Sequence, residues 1–378
     1  MLKYKYIISG GEIMKKIILA PDSFKGSLSS SDACDAMAAA IEKCGDFNVL
    51  RFPIADGGEG TLDVLISALG GEYKKIEVSD PLGRPICASF GICGKVAIIE
   101  SARACGLPLL DENEKDPLLT TTYGVGQLVS AALDENIEEI YLTLGGSSTN
   151  DCGTGFLSAL GGKFYGDGLS PFLCGGDLDK ITSIDMSGLD ERLKKVRITA
   201  VCDVENPLFG KNGAAYVFAP QKGADEKCVK KLDDGLRSFA KVVENCLDKD
   251  ISSVKGAGAA GGLGAALSLL GAKMQKGCEM ILSLVDFDSA LCDCDLVLTG
   301  EGSFDSQSFM GKAVGSIYGH ANEKKIPVAV FAGKVENFTE TDGLSAICIT
   351  PEGQNLDDAM KNAYQNLFDA VYNFIKKE

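Results

Sequence analysis

Short apolar runs rich in β-branched residues alternate with helical patterns along much of the chain, and this alternation restricts the fold more than any other feature. Residues 17–20 form the first run, and a helix is predicted to begin near Ser29, three residues before an aspartate, as in a capping box. Residues 49–54 and 61–69 repeat the strand and the helix, and Gly70 ends the second helix. Such repeated units predict an α/β fold built around a largely parallel sheet.

The order of elements changes after residue 75, which indicates a second domain. Three extended segments follow one another there: 74–78, 86–92 and 96–100. The βαβ order returns near the end of the chain, with a strand at 296–299, a helix at 310–324 and a strand at 328–331. We therefore predict a discontinuous parallel-sheet domain of residues 1–77 and 290–378, with a second α/β domain, residues 78–289, inserted into it.

The two ends of the chain carry separate predictions. A final helix is predicted over residues 356–377, with core-facing side chains at helical spacing: Met360, Tyr364, Leu367, Val371 and Phe374. At the other end, Gly10-Gly11-Glu12 requires purine-rich codons that resemble a ribosome-binding site just ahead of Met14. We interpret Met14 as the physiological start and residues 1–13 as a translated leader.

The composition is that of a globular protein. Hydrophobic residues make up 45% of the chain and charged residues 24%, so neither disorder nor a coiled coil is indicated. The net charge of −16 repels phosphate backbones, so no nucleic-acid partner is expected. No apolar run approaches the roughly 18 residues of a membrane span, so we expect a cytoplasmic protein without a membrane partner. The oligomeric state is not indicated.

Cysteine and histidine offer little for catalysis. The 14 cysteines are irregularly spaced, and Cys292 and Cys294 form a C-x-C pair without a second pair or a flanking histidine, so neither disulfides nor a zinc site is predicted. The single histidine, His320, follows a helical run and is interpreted as a surface or helix-end residue. Acid–base chemistry is therefore expected to depend on carboxylates.

The common nucleotide-binding motifs are absent or weak. Neither a P-loop nor the protein-kinase set of motifs occurs. G-x-G-x-x-G occurs once, at Gly256, Gly258 and Gly261, but residues 251–255 before it make a poor strand, so the match to a dinucleotide-binding site is weak. We expect residues 258–270 to form a tightly packed helix of small residues instead.

Four glycine-containing turns at predicted strand ends carry polar side chains. They are APDSFKGS (20–27), ADGGEGT (55–61), LTLGGSSTNDCGTG (142–155) and LTGEGSFDSQSFMGK (298–312). In the first, Lys25 offers a charge for a phosphate group beside a helix N-terminus. In the second, Asp56 and Glu59 bracket glycines that let a ligand approach the backbone. The third and fourth place hydroxyl, amide and carboxylate groups directly after apolar strands.

These turns, with five further strings, resemble the bacterial glycerate kinase family from Met14 to beyond Gly333. The further strings are DPLGRP (from 80), TTTYGVG (from 120), CDVENPLFG (from 202), APQKGA (from 219) and GAGAAGGLGAAL (from 256). The resemblance implies ATP-dependent phosphorylation of D-glycerate, use of magnesium, and a flavodoxin-like domain that carries an inserted α/β domain. Three positions depart from the family pattern: Cys152 replaces a usual glycine, Ser303 a common basic residue and Lys255 a common proline.

Phosphoryl transfer requires in-line positioning, neutralisation of phosphate oxygens and a carboxylate that orients or accepts the hydroxyl proton. For catalysis we expect Lys25, Asp56, Asp203 and Glu301. The three acids among them are also the expected Mg²⁺ ligands, and Asp203 and Asp56 rank above Asp151 as the base. The expected substrate- or nucleotide-binding residues are Asp22, Ser23, Gly57, Gly58, Glu59, Gly145, Gly146, Ser147, Thr149, Asn150, Asp151, Asp305, Gln307 and Lys312.

The predicted activity is therefore that of a glycerate kinase with ATP, Mg²⁺ and glycerate as ligands, acting in a cleft between the domains at the carboxyl ends of the first domain's strands. The resemblance favours 2-phosphoglycerate as product. Two alternatives remain open at this point. One is an NAD-dependent oxidoreductase that uses the glycines at 256–261, and the other is a small-acid or nucleotide sensor with the same cleft.

Overall fold

The computed structural model describes residues 16–55, 57–58, 60–305, 313–339, 341 and 343–377. These residues form two compact units. The first unit takes the chain up to residue 56 and from residue 278 onward, and the second takes residues 57–277. No helix in the described part of the chain is long and apolar enough to cross a membrane.

The described residues form strands and α-helices in alternation. The strands are β1 (Lys16–Leu19), β2 (Asn48–Arg51), β3 (Glu72–Ser79), β4 (Pro85–Cys93), β5 (Val96–Glu100), β6 (Glu139–Thr143), β7 (Lys163–Gly166), β8 (Ile181–Asp185), β9 (Arg197–Val201), β10 (Lys273–Gln275), β11 (Leu296–Phe304), β12 (Val328–Val335) and β13 (Leu344–Cys348). The α-helices are α1 (Ser30–Glu42), α2 (Thr61–Leu69), α3 (Ala102–Cys105), α4 (Tyr123–Leu133), α5 (Thr154–Ala159), α6 (Ala214–Phe218), α7 (Glu226–Leu247), α8 (Leu263–Leu269), α9 (Gly277–Leu284), α10 (Phe287–Ala290), α11 (Ala313–Glu323), α12 (Leu356–Lys361) and α13 (Ala363–Lys377).

The sheet of the first unit is entirely parallel and has the strand order β13-β12-β11-β1-β2. Counted along this unit alone, the order is that of a flavodoxin-like sheet, with the reversal of direction between β1 and β11. The predicted flavodoxin-like α/β class is confirmed. Ile17 and Leu19 of β1 are buried against Met37 of α1 and Leu367 of α13, which gives this unit its own apolar core.

Helix α1 begins where the sequence predicts it. The Ser29 side chain accepts a hydrogen bond from the backbone N–H of Asp32 at 3.0 Å, which satisfies a donor that the first turn would otherwise leave unpaired. Such an N-cap typically contributes about 1 kcal/mol to helix stability. The loop between β1 and α1, residues 20–28, is therefore fixed at both ends.

The main sheet of the second unit is mixed, with the order β10-β9-β6-β5-β4-β3. Strands β5, β6, β9 and β10 are parallel to one another, and β3 and β4 form an antiparallel hairpin at one edge. Strands β7 and β8 pair separately. Because parallel strands end at the same edge of a sheet, the loops after β5, β6, β9 and β10 leave this sheet on one side.

The boundaries of the two units differ from the predicted positions 77/78 and 289/290. Residues 57–77 belong to the second unit because β3 pairs with β4 over its whole length, from Glu72 opposite Ile92 to Ser79 opposite Pro85. Residues 278–289 belong to the first unit, where the rings of Phe287 and Phe52 meet edge to face with centroids 5.6 Å apart.

The predicted strand from residue 296 and the predicted final helix differ in extent from the elements in the structure. Strand β11 continues to Phe304 instead of ending at residue 299, because Glu301 and Phe304 stay in register with Ala332 and Val335 of β12. Glu301 therefore lies in a strand and not in the turn after it.

The predicted final helix is interrupted at Asn362, whose side-chain amide donates to the Asp358 carbonyl at 2.8 Å. Leu367 and Val371 are fully buried as expected. Tyr364 is 42% exposed, so its predicted core position is wrong. The interruption turns this ring toward solvent while the second helix, α13, keeps its apolar face against the sheet.

Candidate functional site

The loop after β1 runs alongside β11 in the first unit. Past the end of β1, the Ala20 N–H donates to the Leu298 carbonyl at 2.8 Å, and the Asp22 N–H donates to the Gly300 carbonyl at 2.8 Å. The Thr299 hydroxyl donates to the Ala20 carbonyl at 2.7 Å. The first candidate turn is thus held against β11 at the reversal point of the sheet, where ligands bind in folds of this class.

This arrangement brings several predicted site residues together. The Ser23 N–H donates to the Asp22 carboxylate at 2.6 Å, and Lys25 is exposed at the tip of the loop. A Cβ atom on Gly302 would lie 3.5 Å from the Lys25 backbone nitrogen, so β11 passes directly under the loop. Glu301, the residue before this glycine, is only 8% exposed, so its carboxylate is largely shielded from water.

Asp305 is half-buried directly after β11. The predicted residues Asp56, Glu59, Gln307 and Lys312 lie outside the described part of the chain, as do Met14 and the predicted leader 1–13. Their roles stay predictions.

At the corresponding edge of the second unit, the turn at Gly57 and Gly58 packs against the loop after β6. The Gly145 N–H donates to the Gly57 carbonyl at 3.3 Å, and a Cβ atom on Gly145 would lie 2.6 Å from the Gly58 Cα atom. Only glycine permits so close an approach of two backbones. Gly146 has a φ angle of 76°, which also favours glycine.

Two carboxylates lie at this edge, at the ends of the strands on either side of β6, but they make different contacts. Glu100, the last residue of β5, accepts from the Leu62 N–H at 2.8 Å and pairs with the Arg103 guanidinium at 2.8 Å, so it ties α2 and α3 to the sheet. Asp203, after β9, is half-buried and accepts from the Gly277 N–H at 2.8 Å through Oδ1. That hydrogen bond fixes the orientation of the Asp203 carboxylate.

Asp151 is surrounded by donors and acts as an anchor of the loop after β6. Its carboxylate accepts from the N–H and hydroxyl of Thr122 at 2.8 and 2.7 Å, and from the N–H groups of Gly153 and Gly155 at 3.0 and 3.2 Å. It is fully buried, and this burial raises the pKa of its carboxyl, while the four hydrogen bonds act in the opposite direction. Cys152 adopts a φ angle of 52°, which explains why glycine suits this position.

Lys222 is a buried charged residue beside this loop that the sequence prediction did not include. It lies in a short 3₁₀ turn, Pro220–Lys222, and is only 2% exposed. Its ammonium group donates to the Ser147 hydroxyl at 3.1 Å and to the Thr149 carbonyl at 2.6 Å. Desolvation lowers its pKa to about 8, although the charge of Asp151 opposes that shift. The APQKGA string contains this lysine, but a lysine beside a glycine is typical of an exposed turn, so the string alone does not predict its burial.

The remaining polar side chains of the same loop are also buried. Ser148 donates to the Cys105 carbonyl at 2.9 Å, and the Thr120 hydroxyl donates to the Ser148 carbonyl at 3.0 Å. Asn150 is 0% exposed, and within the described part of the chain neither its side-chain oxygen nor its side-chain nitrogen has a hydrogen-bond partner. Buried amides are almost always paired, so this side chain is an exception.

Two other sequence interpretations can be compared with the structure. His320 lies in the last turn of α11, as expected of a helix-end residue, with its ring nitrogens 2.7 Å from the Asp288 carboxylate and 3.2 Å from that of Glu279. Near the G-x-G-x-x-G string, α8 begins at Leu263 and not at residue 258, because a 3₁₀ turn with positive φ angles at Ala260 and Gly261 precedes it. No strand leads into these glycines, so the geometry of a dinucleotide-binding turn is missing there.

The whole chain was then compared with known proteins. A family model described as the glycerate kinase family matches residues 17–377. The chain belongs to the glycerate kinase family. This membership confirms the resemblance that the sequence motifs indicated. It also shows that the protein is a phosphotransferase.

Several members of the family are similar to this chain over almost their full length. Glycerate 2-kinase of Escherichia coli is 41% identical, over 95% of this chain and 96% of its own. Glycerate kinase of Bacillus subtilis is 42% identical, over 92% of this chain and 94% of its own. A crystal structure assigned as glycerate kinase 2 from Salmonella typhimurium LT2 has a TM-score of 0.84 at 38% identity, and the match covers 97% of this chain and 98% of that one.

Proposed function

We propose that this member of the glycerate kinase family transfers the γ-phosphoryl group of ATP to a hydroxyl of D-glycerate, with 2-phosphoglycerate as the favoured product. The observation that carries the proposal is the continuation of β1–β11 pairing into the loop 20–28, which holds the Lys25 loop beside Glu301 at the reversal point of a flavodoxin-like sheet. A flexible cation on a loop held against the strand that carries a shielded carboxylate suits a phosphate that arrives with a metal ion.

Lys25 supplies positive charge to phosphate oxygens. Its side chain is exposed at the loop tip, five residues before α1 begins, so it can follow the phosphate while the backbone under it stays fixed. A lysine ammonium acts as a point charge and needs no single fixed geometry. The chain is strongly acidic overall, so attraction of an anionic substrate depends on such local cations.

The residues present fit a magnesium ion. No group of three or more possible metal-ligating side chains occurs among the described residues. Mg²⁺ in phosphotransferases needs no such group, because it is held by one or two carboxylates, waters and the substrate phosphates. Glu301 of the first unit, Asp203 of the second and the predicted Asp56 are each a candidate for that carboxylate, and a bound ion would neutralise charge on the transferred group.

A carboxylate handles the proton of the glycerate hydroxyl. Asp151 is unsuited, since four protein hydrogen bonds already occupy its two oxygens. Asp203 is better placed, because the Gly277 N–H orients it at a strand end and it is only half-buried. We therefore propose Asp203 or the predicted Asp56 as the general base.

The proposal is tested by product analysis with the purified protein. We expect ADP release only when ATP, Mg²⁺ and D-glycerate are all present, and phosphorus NMR of the product should show a phosphate on the 2-hydroxyl. A 3-phosphoglycerate signal would correct the position of transfer. Fast ATP hydrolysis without glycerate, or nucleotide binding that glycerate tightens without any ADP release, would contradict the kinase proposal and favour a sensor.

A further inference from the structure

The unpaired amide of Asn150 lies in a polar cluster of the second unit. The hydroxyls of Ser101 and Thr149 are buried there beside the Cys105 thiol, without a hydrogen bond of normal geometry. Burial raises the pKa of that thiol to about 12, so Cys105 is neutral and supplies no charge. Four buried polar atoms, on Ser101 after β5 and on Thr149 and Asn150 after β6, thus have no hydrogen-bond partner among the described residues. A native interior normally leaves only a few such atoms over a hundred residues.

The ammonium group of Lys222 contacts the backbone directly before Asn150. It donates to the carbonyl of Thr149, and that carbonyl belongs to the peptide group that joins Thr149 to Asn150. An ammonium group carries three donors, and two acceptors among the described residues, the Ser147 hydroxyl and the Thr149 carbonyl, contact this one. No carboxylate of the described residues forms an ion pair with it, although a lysine this deeply buried is normally paired with one.

The cluster therefore offers a positive charge, an amide donor and an amide acceptor in one buried place. We propose that Lys222 and Asn150 bind the carboxylate end of glycerate, with the carboxylate accepting from both residues and the adjacent hydroxyl donating to the Asn150 side-chain oxygen. This inference rests on the proposed function, since it names the subsite of that substrate. It leaves Lys25 to the transferred phosphate.

Two properties of the cluster favour an anionic group over ordered water. Water would satisfy the amide but would leave the buried charge of Lys222 uncompensated, whereas a carboxylate satisfies both. Desolvation lowers the pKa of Lys222 to about 8 even though the charge of Asp151 opposes the shift, so the neighbouring groups do not fully compensate its burial. Both side chains are buried, Lys222 at 2% and Asn150 at 0% exposure, so glycerate binding at them requires neighbouring groups to move.

The test measures glycerate binding by calorimetry without nucleotide, so that binding is separated from turnover. Lys222→Met and Asn150→Ala should each weaken glycerate binding by about 10- to 100-fold, as expected for the loss of a hydrogen bond to a charged group. ATP affinity should not change. Glycerol, which lacks the carboxylate, should be phosphorylated equally poorly by the wild type and by both variants.

Matched controls separate this role from general stability. Lys180→Met removes an ammonium group of the same unit that already has a partner, Asp177 at 2.8 Å. Asn366→Ala removes a buried amide that is bonded to Gln354 at 2.9 Å. Neither control should alter glycerate affinity. If the cluster merely held ordered water, Lys222→Met and Asn150→Ala would shift the melting temperature and leave glycerate affinity at the wild-type value, which would overturn the proposal.

The pH dependence gives a second readout that does not require a variant to fold. The groups that face Lys222 are Cys105, which is neutral, and Asp151, which is held by its four donors. Because a carboxylate binds the protonated amine, glycerate affinity should be constant below pH 8 and fall above it, by up to tenfold per pH unit. Affinity that stays constant to pH 10 would contradict the assignment.

The possible failures are distinguishable. Phosphorylation of glycerate by the wild type, with unchanged glycerate affinity in both variants, would overturn this subsite and leave the proposed function intact. Binding of glycerate that depends on Lys222, without any phosphoryl transfer, would uphold the subsite and overturn the kinase proposal. A wild type that neither binds nor phosphorylates glycerate would overturn both.

Discussion

The backbone N–H of Asp22 donates to the carbonyl of Gly300 at 2.8 Å, three residues after β1 has ended. The loop that carries Lys25 is therefore attached to the central strand of its sheet by the same kind of bond that holds the sheet together. Such attachment fixes the backbone at the base of the loop and leaves the lysine side chain free to move. A phosphate-binding cation on a rigid base loses little conformational entropy when it binds.

Lys25→Ala should lower kcat/KM strongly, by about 100-fold or more, because it removes the cation proposed to contact the phosphate. Lys16→Ala is the matched control, since the Lys16 ammonium contacts only the Cys292 carbonyl at 2.8 Å. Steady-state kinetics with both substrates varied would measure the effect, with melting temperatures to check folding. Equal and small losses of kcat/KM in the two variants would show that the loop of residues 20–28 has only a structural role.

Asp203→Asn should lower the turnover rate, whereas Asp151→Asn should lower the stability of the protein. The first removes a proposed base and should lower kcat by about 10² to 10⁴ with little change in stability. The second places an amide against the N–H donors that now surround the Asp151 carboxylate, and should lower the free energy of unfolding by about 1–3 kcal/mol. Steady-state kinetics and urea unfolding of both variants would measure the two effects separately. Near-wild-type kcat in a folded Asp203→Asn variant would transfer the role to Asp56 or to the acids at 301 and 305.

Gly300→Ala should destabilise the first unit, because a Cβ atom there would lie 2.5 Å from the Phe331 carbonyl oxygen. We expect a loss of about 1–3 kcal/mol in the free energy of unfolding. Gly319→Ala is the opposite case, since nothing lies within 4 Å of a Cβ atom at this position of α11. It should stabilise the protein by about 0.5–1 kcal/mol. Denaturant unfolding measures both, and a neutral Gly300→Ala would contradict the packing of β11 on β12.

His320 should make stability depend on pH. Burial opposes its charge, but the hydrogen bonds that the ring donates to the Asp288 and Glu279 carboxylates prevail and raise its pKa above the usual value of 6.5. A raised pKa in the folded state means that the stabilisation is complete below pH 6.5 and is lost as pH rises through the folded-state pKa. The unfolding free energies of the wild type and His320→Gln should therefore differ most near pH 6 and converge by pH 9.

The same prediction has a direct spectroscopic check. His320 is the only histidine in the chain, so its ring-proton resonance needs no assignment. Proton NMR titration should give a pKa above 6.5, and the Asp288→Asn variant should return it toward that value. A pKa at or below 6.5 in the wild type would contradict the ion pairs with α9 and α10.

Features that depend on neighbouring residues were predictable from the sequence. The start of α1 at Ser29 and the end of α2 at Gly70 follow from local capping, and both are confirmed. The hairpin of β3 and β4 follows from its own alternation of residues. The family motifs identified the strand-end turns for the same reason, since each turn is one contiguous string.

Features that depend on distant partners were not predictable. β11 extends to Phe304 because of its pairing with β12, and the composition of residues 300–304 alone gives no sign of a strand. Lys222 is buried because Ser147 and Thr149, more than 70 residues earlier, accept its hydrogen bonds. The sequence shows a lysine before a glycine, and only the folded chain turns that lysine inward.

The separation of β1 from β11 along the chain has a consequence for synthesis on the ribosome. The Thr299 hydroxyl bonds to the Ala20 carbonyl across a sequence separation of 279 residues. At about 5–20 residues per second, the partner strand emerges roughly 15 to 55 s after β1. During that interval the second unit, residues 57–277, is completed and can fold, while β1 and β2 expose apolar edges without a neighbour. The unit that holds the first strand of the protein is thus the last to form, and nascent chains paused between residues 277 and 296 are the ones most open to aggregation and to chaperone binding.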